Sequence, residues 1–449
     1  MFKTVRNALK VKDIRNRILY TLVALIIVRI GCQLPAPGVN RGFVAQFFEQ
    51  QFGSNGTAMN FFDAMTGGSF TTMSIFALNI TPYITSSIIM QLLTIAIPKL
   101  EEMQKDGEDG RKKIAEYTRY LTVALAIIEA LSMAIGFGNQ GYLEGDLNFT
   151  NVVIVVTSMT AGASFLMWLG EQITEKGVGN GISIILLINI VSKIPSDLKS
   201  LFDKYVIGKT IAKGGLAAIV IFAILVAMVV FIVILSAGER RIPVQYAKKV
   251  QGRKMVGGQT TNIPLKVNTA GVIPVIFAGS LLSFPIVIAQ FLQVQPASGP
   301  GTSIWQKLLK VCNQNAWFNV TNIHEFKYTL GLVGYIVLVI FFAYFYTSIT
   351  FNPIEVANNM KKAGGFIPGI RPGKPTTDYL NKVLKYIIFI GAVGLTIVCV
   401  IPIIISGVFN ANISFGGTSL IIIVGVVIET LKKIESQMLV RHYKGFLND

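Results

Sequence analysis

Ten runs of apolar residues, parted by shorter polar stretches, constrain this chain more than any other feature. They fall at Ile18 to Leu34, Ser74 to Ile97, Tyr117 to Phe137, Val152 to Leu169, Ile182 to Ile194, Leu216 to Leu235, Ala270 to Leu292, Leu330 to Ile349, Leu384 to Ile405 and Thr418 to Leu431. Most reach the roughly 20 residues that carry a helix across about 30 Å of hydrocarbon. The fifth and tenth are short. In lipid, backbone groups must bond within a helix or a closed barrel, and runs without two-residue alternation do not make barrel strands. With 52% hydrophobic and only 14% charged residues, a soluble fold could not bury this much apolar surface. The expectation is an all-α polytopic membrane protein with ten transmembrane helices.

The loops orient it. Of 40 lysines and arginines, 30 lie in the N-terminus, the even-to-odd loops and the C-terminus, nine lie in the opposite loops, and Arg29 sits within a span. The basic set is expected to face the cytoplasm, and an even number of spans returns both termini to that side. The net charge of +17 is therefore read as topology beside anionic lipid rather than as DNA binding. The loop from Ala237 to Lys266 carries seven basic residues against one acid, more than anchoring needs, which fits a docking surface for ribosomal RNA or an acidic partner.

The spans divide into five, a connecting loop and five more. Because five is odd, the second half must run opposite to the first, the parity of an inverted repeat. The expected organisation is a cytoplasmic N-terminus (1–17), an N-terminal half (18–194), an external hinge loop (195–215), a C-terminal half (216–431) with cytoplasmic loops 237–268 and 350–383, and a cytoplasmic C-terminus (432–449): a clamshell with one hinge. The first run is expected to remain as the first span, being long and followed by Pro35 and Pro37.

Three stretches are not simple spans. Residues 60–72 (NFFDAMTGGSFTT) hold tandem Gly67 and Gly68 and carry Asp63; a re-entrant half-helix and an amphipathic surface loop both fit. Val244, Tyr246 and Val250 interleave with basic residues before a glycine-rich turn, which predicts a hairpin. Phe351 to Leu380 predicts a short helix and two X-Pro turns flanking Arg371. Gly177-Val-Gly-Asn-Gly reads as a helix break.

The absent chemistry excludes several classes. Only His324 and His442 are available, so neither a catalytic dyad nor a metalloprotease helix can form. Cys32, Cys312 and Cys399 are scattered and odd in number. Gly369 to Thr376 misses the phosphate-loop spacing. No enzyme activity, cofactor or metal is expected. Ionisable groups well inside spans are limited to Arg29 and Glu129, fewer than ion-coupled transport normally uses at mid-depth, although an inverted-repeat transporter of a small solute stays open as an alternative. Arg29 is expected to meet a carboxylate or helix-end carbonyls. An apolar pathway closed by branched aliphatics, which dewets yet deforms around a large passenger, is the remaining route.

GGSFTTMSIFALNITPYITSSIIMQLL (Gly67 to Leu93), FLMWLGEQITEKGVGNGISI (Phe165 to Ile184) and FIPGIRPGKPT within the Phe351 to Pro375 loop closely resemble the SecY family of bacterial protein-translocation channels, and the likeness runs over essentially the whole chain. The resemblance implies a plug half-helix at 60–72, including Phe61, Phe62, Asp63, Met65, Gly67 and Gly68. It implies a pore ring of Ile80, Ile84, Leu186, Ile190, Ile276 and Ile422, with Leu186 standing where the family usually has isoleucine. Thr85, Gln91, Asn268 and Ser280 match polar positions of a lateral gate between the second and third spans on one side and the seventh and eighth on the other. Arg371, with Arg240, Arg241, Lys248 and Lys249, is similar to the surface that engages the SecA motor or the ribosome. A SecE subunit clasping the halves, a peripheral SecG, signal peptides and unfolded preproteins are the further partners implied. The location implied is the bacterial cytoplasmic membrane.

Overall fold

The computed structural model describes the chain apart from residues 1–5, 7–8, 41, 43–62, 64, 139–140, 142, 144–147, 206–210, 247–248, 252–253, 257–259, 292–302, 313–329, 410–416 and 446–449. Each of the ten apolar runs overlaps one helix. The first half holds α1 (Lys12–Gly31), α2 (Thr81–Ala96), a short α3 (Pro98–Lys105), α4 (Glu108–Gly138), α5 (Phe149–Lys176) and α6 (Gly181–Tyr205). The second holds α7 (Ile211–Ala237), strands β1 (Glu239–Tyr246), β2 (Lys249–Gln251), β3 (Lys254–Val256) and β4 (Thr260–Lys266), then α8 (Ile273–Phe291), α9 (Ile304–Cys312), α10 (Leu330–Thr350), α11 (Pro353–Lys362), β5 (Gly365–Phe366), α12 (Lys374–Phe409) and α13 (Gly417–Gly445).

Among the described residues, Glu108–Gly138, Phe149–Lys176, Leu330–Lys362 and Lys374–Ile401 are each long and apolar enough alone to cross a membrane. The pair Thr81–Ala96 and Pro98–Lys105 qualifies together, bent by 102°. The bend sits at Ile97, held extended before Pro98, because a residue preceding proline disfavours helix. The short fifth run becomes a longer helix than its apolar stretch, since α6 continues through Pro195. The second run departs most from a plain span. Its first seven residues, Ser74 to Ile80, form a bridge and turns rather than helix, with Asn79, and Met73 just before the run, at positive φ.

Packing within the first half joins α4 to α5 and α2, α5 to α6, and α1 to α5 and α6. Ala126, Ala130 and Ala134, spaced one turn apart on α4, and Ala163 on α5 lie in one buried cluster with Met73 and Met159. Small residues let membrane helices approach closely, where dispersion replaces the missing hydrophobic drive. Gly162 of α5 lets the turns before α2 come equally near: a Cβ there would stand 2.1 Å from the Ile75 carbonyl oxygen. In the second half α8 packs on α10, α10 on α12, and α7 on α12 and α13. The halves meet along two edges, α6 against α7 and α13 on one side and α4 against α8 on the other.

The loop between α7 and α8 forms the expected hairpin, β1 pairing antiparallel with β4 from Glu239 opposite Lys266 to Gln245 opposite Thr260. Sequence reading did not anticipate that β5, from the loop between α10 and α12, extends the same sheet in the order β4-β1-β5 through Gln245–Phe366 and Tyr246–Gly365. Alternate β1 residues Ile242 and Val244 face a separate core with Leu265, Met360, Ile367 and Leu380, as the period of two requires. The expected short helix is α11. Its Asn352 cap accepts from the Ile354 and Glu355 amides, with Pro353 in the first turn.

Candidate pore, plug and loop surface

All six ring positions come together. Ile80 caps the start of α2, Leu186 and Ile190 lie one turn apart on α6, Ile276 opens α8 and Ile422 sits early in α13. These five are buried in one hydrophobic cluster, and Ile84, a turn beyond Ile80, packs against it half-buried. Four helices from both halves therefore supply aliphatic side chains to one buried cluster. Leu186 fills its position as fully as the isoleucines, because branched bulk rather than branch point decides the fit.

Of the plug positions, Phe61 and Phe62 lie outside the described residues. Asp63, Met65 and Thr66 are helical, and the chain then turns at Gly67 and Gly68. Met65 is 4% exposed and belongs to the same cluster as the ring. Polar contacts fix this piece. The Asn79 side-chain amide donates to the Met65 carbonyl at 2.8 Å, and Asp63 forms an ion pair with Lys193 near the end of the fifth apolar run. Arg29 Nη1 lies 3.4 Å from the Gly67 carbonyl oxygen and 3.5 Å from Asn189 Oδ1. Of the two partners expected for Arg29, the observed one is thus the carbonyl that ends the short helix, together with an amide. Sequence reading missed Asn79, Asn189 and Lys193. The available signal was Asn189 and Lys193 spaced four residues apart in an apolar run, hence on one helical face.

The four lateral positions are not tied to one another by the hydrogen bonds seen. Thr85 Oγ1 donates to the Thr81 carbonyl (3.1 Å) and Gln91 to Ser87 Oγ (3.3 Å), both within α2. Asn268 lies half-buried in the turn before α8. Ser280 is on α8, with its side chain outside the description. On the loop surface, Arg240 and Arg241 project exposed from β1, and Arg241 forks onto its neighbour Glu239 at 2.7 and 2.8 Å. Arg371 is exposed in a turn closed by Thr376 Oγ1 donating to its carbonyl at 2.9 Å. Lys248 lies outside the described residues, and Lys249 starts β2.

The family model described as SecY matches residues 74–431. This chain belongs to the SecY family. Relatives named protein translocase subunit SecY are similar over full length: that of Mycobacterium tuberculosis is 42% identical over 460 residues, covering 100% of both chains, and that of Streptomyces scabiei is 43% identical with the same coverage. Solved structures share the fold at low identity. A protein-conducting channel aligns with TM-score 0.59 at 17% identity over 95% of this chain and 93% of the other. Sec61 in a canine ribosome–channel complex aligns with TM-score 0.57 at 16% identity, with the same coverage. The ten-span, two-half architecture with a re-entrant piece before the second span is the fold of this family, and the protein is a multi-pass membrane protein.

Proposed function

We propose that this chain is the channel subunit of a bacterial Sec protein translocase. It is a passive, gated pore that passes unfolded secretory polypeptides across the cytoplasmic membrane and releases apolar segments sideways into lipid. The observation that carries the reading is the meeting of Ile80, Ile84, Leu186, Ile190, Ile276 and Ile422 in one buried cluster with Met65 of the 60–72 segment against it. Exposing each such side chain to water costs about 1.5–3 kcal/mol. An aliphatic constriction capped by a plug therefore stays dry and shut at rest, while offering no fixed polar group that must be matched by a passing chain.

The edge where α4 meets α8 is the seam we assign to lateral release, with Thr85, Gln91, Asn268 and Ser280 as its polar positions. The edge where α6 meets α7 and α13 is the hinge side, with residues 195–215 as the external connection. A signal peptide opens the seam by binding the open state more tightly than the closed one. The termini and loops 237–268 and 350–383 face the cytoplasm in this reading. Arg240, Arg241, Lys248, Lys249 and Arg371 are there the contacts for SecA or the ribosome, which supply the energy, and SecE and SecG complete the complex. Structural relatives support the class of partner: two of the solved structures are channels on ribosomes, canine Sec61 and yeast Ssh1.

The test is reconstitution with SecE and SecG in vesicles supplied with SecA, ATP and a preprotein. The expected result is protease-protected preprotein inside the vesicles. Vesicles that instead concentrate a small solute, with no preprotein crossing, overturn the proposal.

A further inference from the structure

The segment 63–68 is gripped from one side by charge. Lys193 pairs with Asp63, which is 5% exposed. One turn earlier on the same face of α6, fully buried Asn189 accepts from Arg29 of α1. Arg29 also reaches the Gly67 carbonyl, placing a cation at the negative end of the short helix. Asp63 is further engaged by the Thr71 amide at 3.4 Å on Oδ1, and its carbonyl accepts from the Gly68 amide at 3.1 Å. Gly67 is wedged into the grip: its φ is +65°, and a Cβ there would stand 2.7 Å from Arg29 Nη1 and 2.9 Å from the Asn189 backbone. Only glycine allows so close a seat.

We propose that Arg29, Asn189 and Lys193 form a polar socket that positions the plug, with the Asp63–Lys193 pair as its latch. The proposal deepens the reading of 60–72 as a plug and rests on it. Its physical basis is the difference between the two states. With the segment seated, the two part-buried cations face the buried Asp63 and Asn189, where a charge pair is stronger than in open water and an unpaired charge is costly. Once the segment leaves and the pathway fills with water, hydration replaces the lost partners and the pair is no longer needed. The latch therefore biases the closed state without fastening the open one, so an incoming chain has a small set of contacts to break. Met65, between the two socket contacts at Asp63 and Gly67, anchors the segment separately in the aliphatic cluster.

The experiment is resting ion conductance of the complex reconstituted with SecE and SecG, using Lys193→Asp, Asp63→Lys and the charge-swapped double variant. Each single reversal is expected to raise the leak by at least about tenfold, and the swap to return it to within roughly threefold of the wild type. A purely structural role for the two residues would not be rescued by exchanging their charges. Should a reversal abolish assembly, Lys193→Gln and Asp63→Asn provide near-isosteric neutral forms, each expected to raise the leak by about threefold or more. A swap as leaky as the single reversals overturns the latch, as do neutral variants as tight as the wild type. Deletion of residues 60–68 separates the two levels. A deletion that leaks while the charge variants stay tight removes the latch alone, whereas a deletion with unchanged conductance removes the plug reading beneath it.

Discussion

Lys433 Nζ donates a 3.0 Å hydrogen bond to the carbonyl oxygen of Gly179, 254 residues away in the chain. The contact ties α13 to the break between α5 and α6. Around it, Arg17 of α1 lies 3.3 Å from the Glu175 carbonyl and 3.4 Å from that of Gly177, and the Val178 amide donates to Thr21 Oγ1 at 3.2 Å. Ile14, Val178 and Ile434 bury one another beside these bonds. A break that would otherwise leave helix-end carbonyls unpaired is thus held from both halves of the molecule.

Lys433→Met should therefore weaken the edge where α6 meets α13 while keeping a side chain of similar length. Loss of one half-buried, charge-assisted hydrogen bond is expected to cost about 1 kcal/mol. In a chain of this size the apparent Tm in detergent should fall by only about 1–2 °C. Differential scanning fluorimetry of wild type and variant checks it, and an unchanged Tm would show that water replaces the ammonium at no cost.

Glycine at Ile84 and Ile276 removes apolar bulk from two of the helices that meet in the proposed pore ring. Each deletion strips about 2–5 kcal/mol of packing and opens a gap that water can enter. Single-channel recording should show resting ion leak well above the wild type, and leak no greater than wild type would remove these two residues from the seal.

Leu380 is fully buried in the core shared by the β4-β1-β5 sheet, α11 and the start of α12. Truncation in Leu380→Ala should cost about 2–5 kcal/mol, concentrated outside the spans. Because β5 and β1 belong to one sheet, limited proteolysis should cleave loops 237–268 and 350–383 faster together. Cleavage confined to the second loop would mean that the strand pairing carries no mechanical coupling.

Arg371 is exposed, and its turn is closed by a bond to its carbonyl rather than by its guanidinium. Arg371→Glu should leave the fold and membrane insertion intact while abolishing SecA-driven translocation, because reversing a charge in the proposed docking surface replaces attraction with repulsion. Translocation assays on vesicles of matched channel content decide it, and normal transport would return Arg371 to a topological role.

The legible part of the fold was the part written locally. Run length predicts ten spans, and interleaved apolar residues with turn signals predict the hairpin and α11, because helix formation in lipid and turn chemistry depend on neighbours in sequence. The second run shows where that fails. Ser74 to Ile80 are as apolar as a span, yet they turn, since Pro35 bridges Ser74 and the Ala36 amide bonds the Met73 carbonyl at 2.9 Å from the chain that leaves α1. Arg29 was visible as an anomaly, but two kinds of partner fitted it. The six ring residues were selected by resemblance, as isoleucine in a membrane helix carries no mark distinguishing a pore wall from a lipid face.

Amino-acid order alone determined that the chain lives in a bilayer, how many times it crosses and which of its loops are basic, because apolar length and charge act through the solvent and need no partner. Tertiary structure decided which aliphatics close on one another, that the Gly67 carbonyl rather than a carboxylate receives Arg29, that Lys193 meets Asp63, and that two distant loops share one sheet. Those contacts join residues far apart in the chain, and their free energy arises only once helices from both halves have packed.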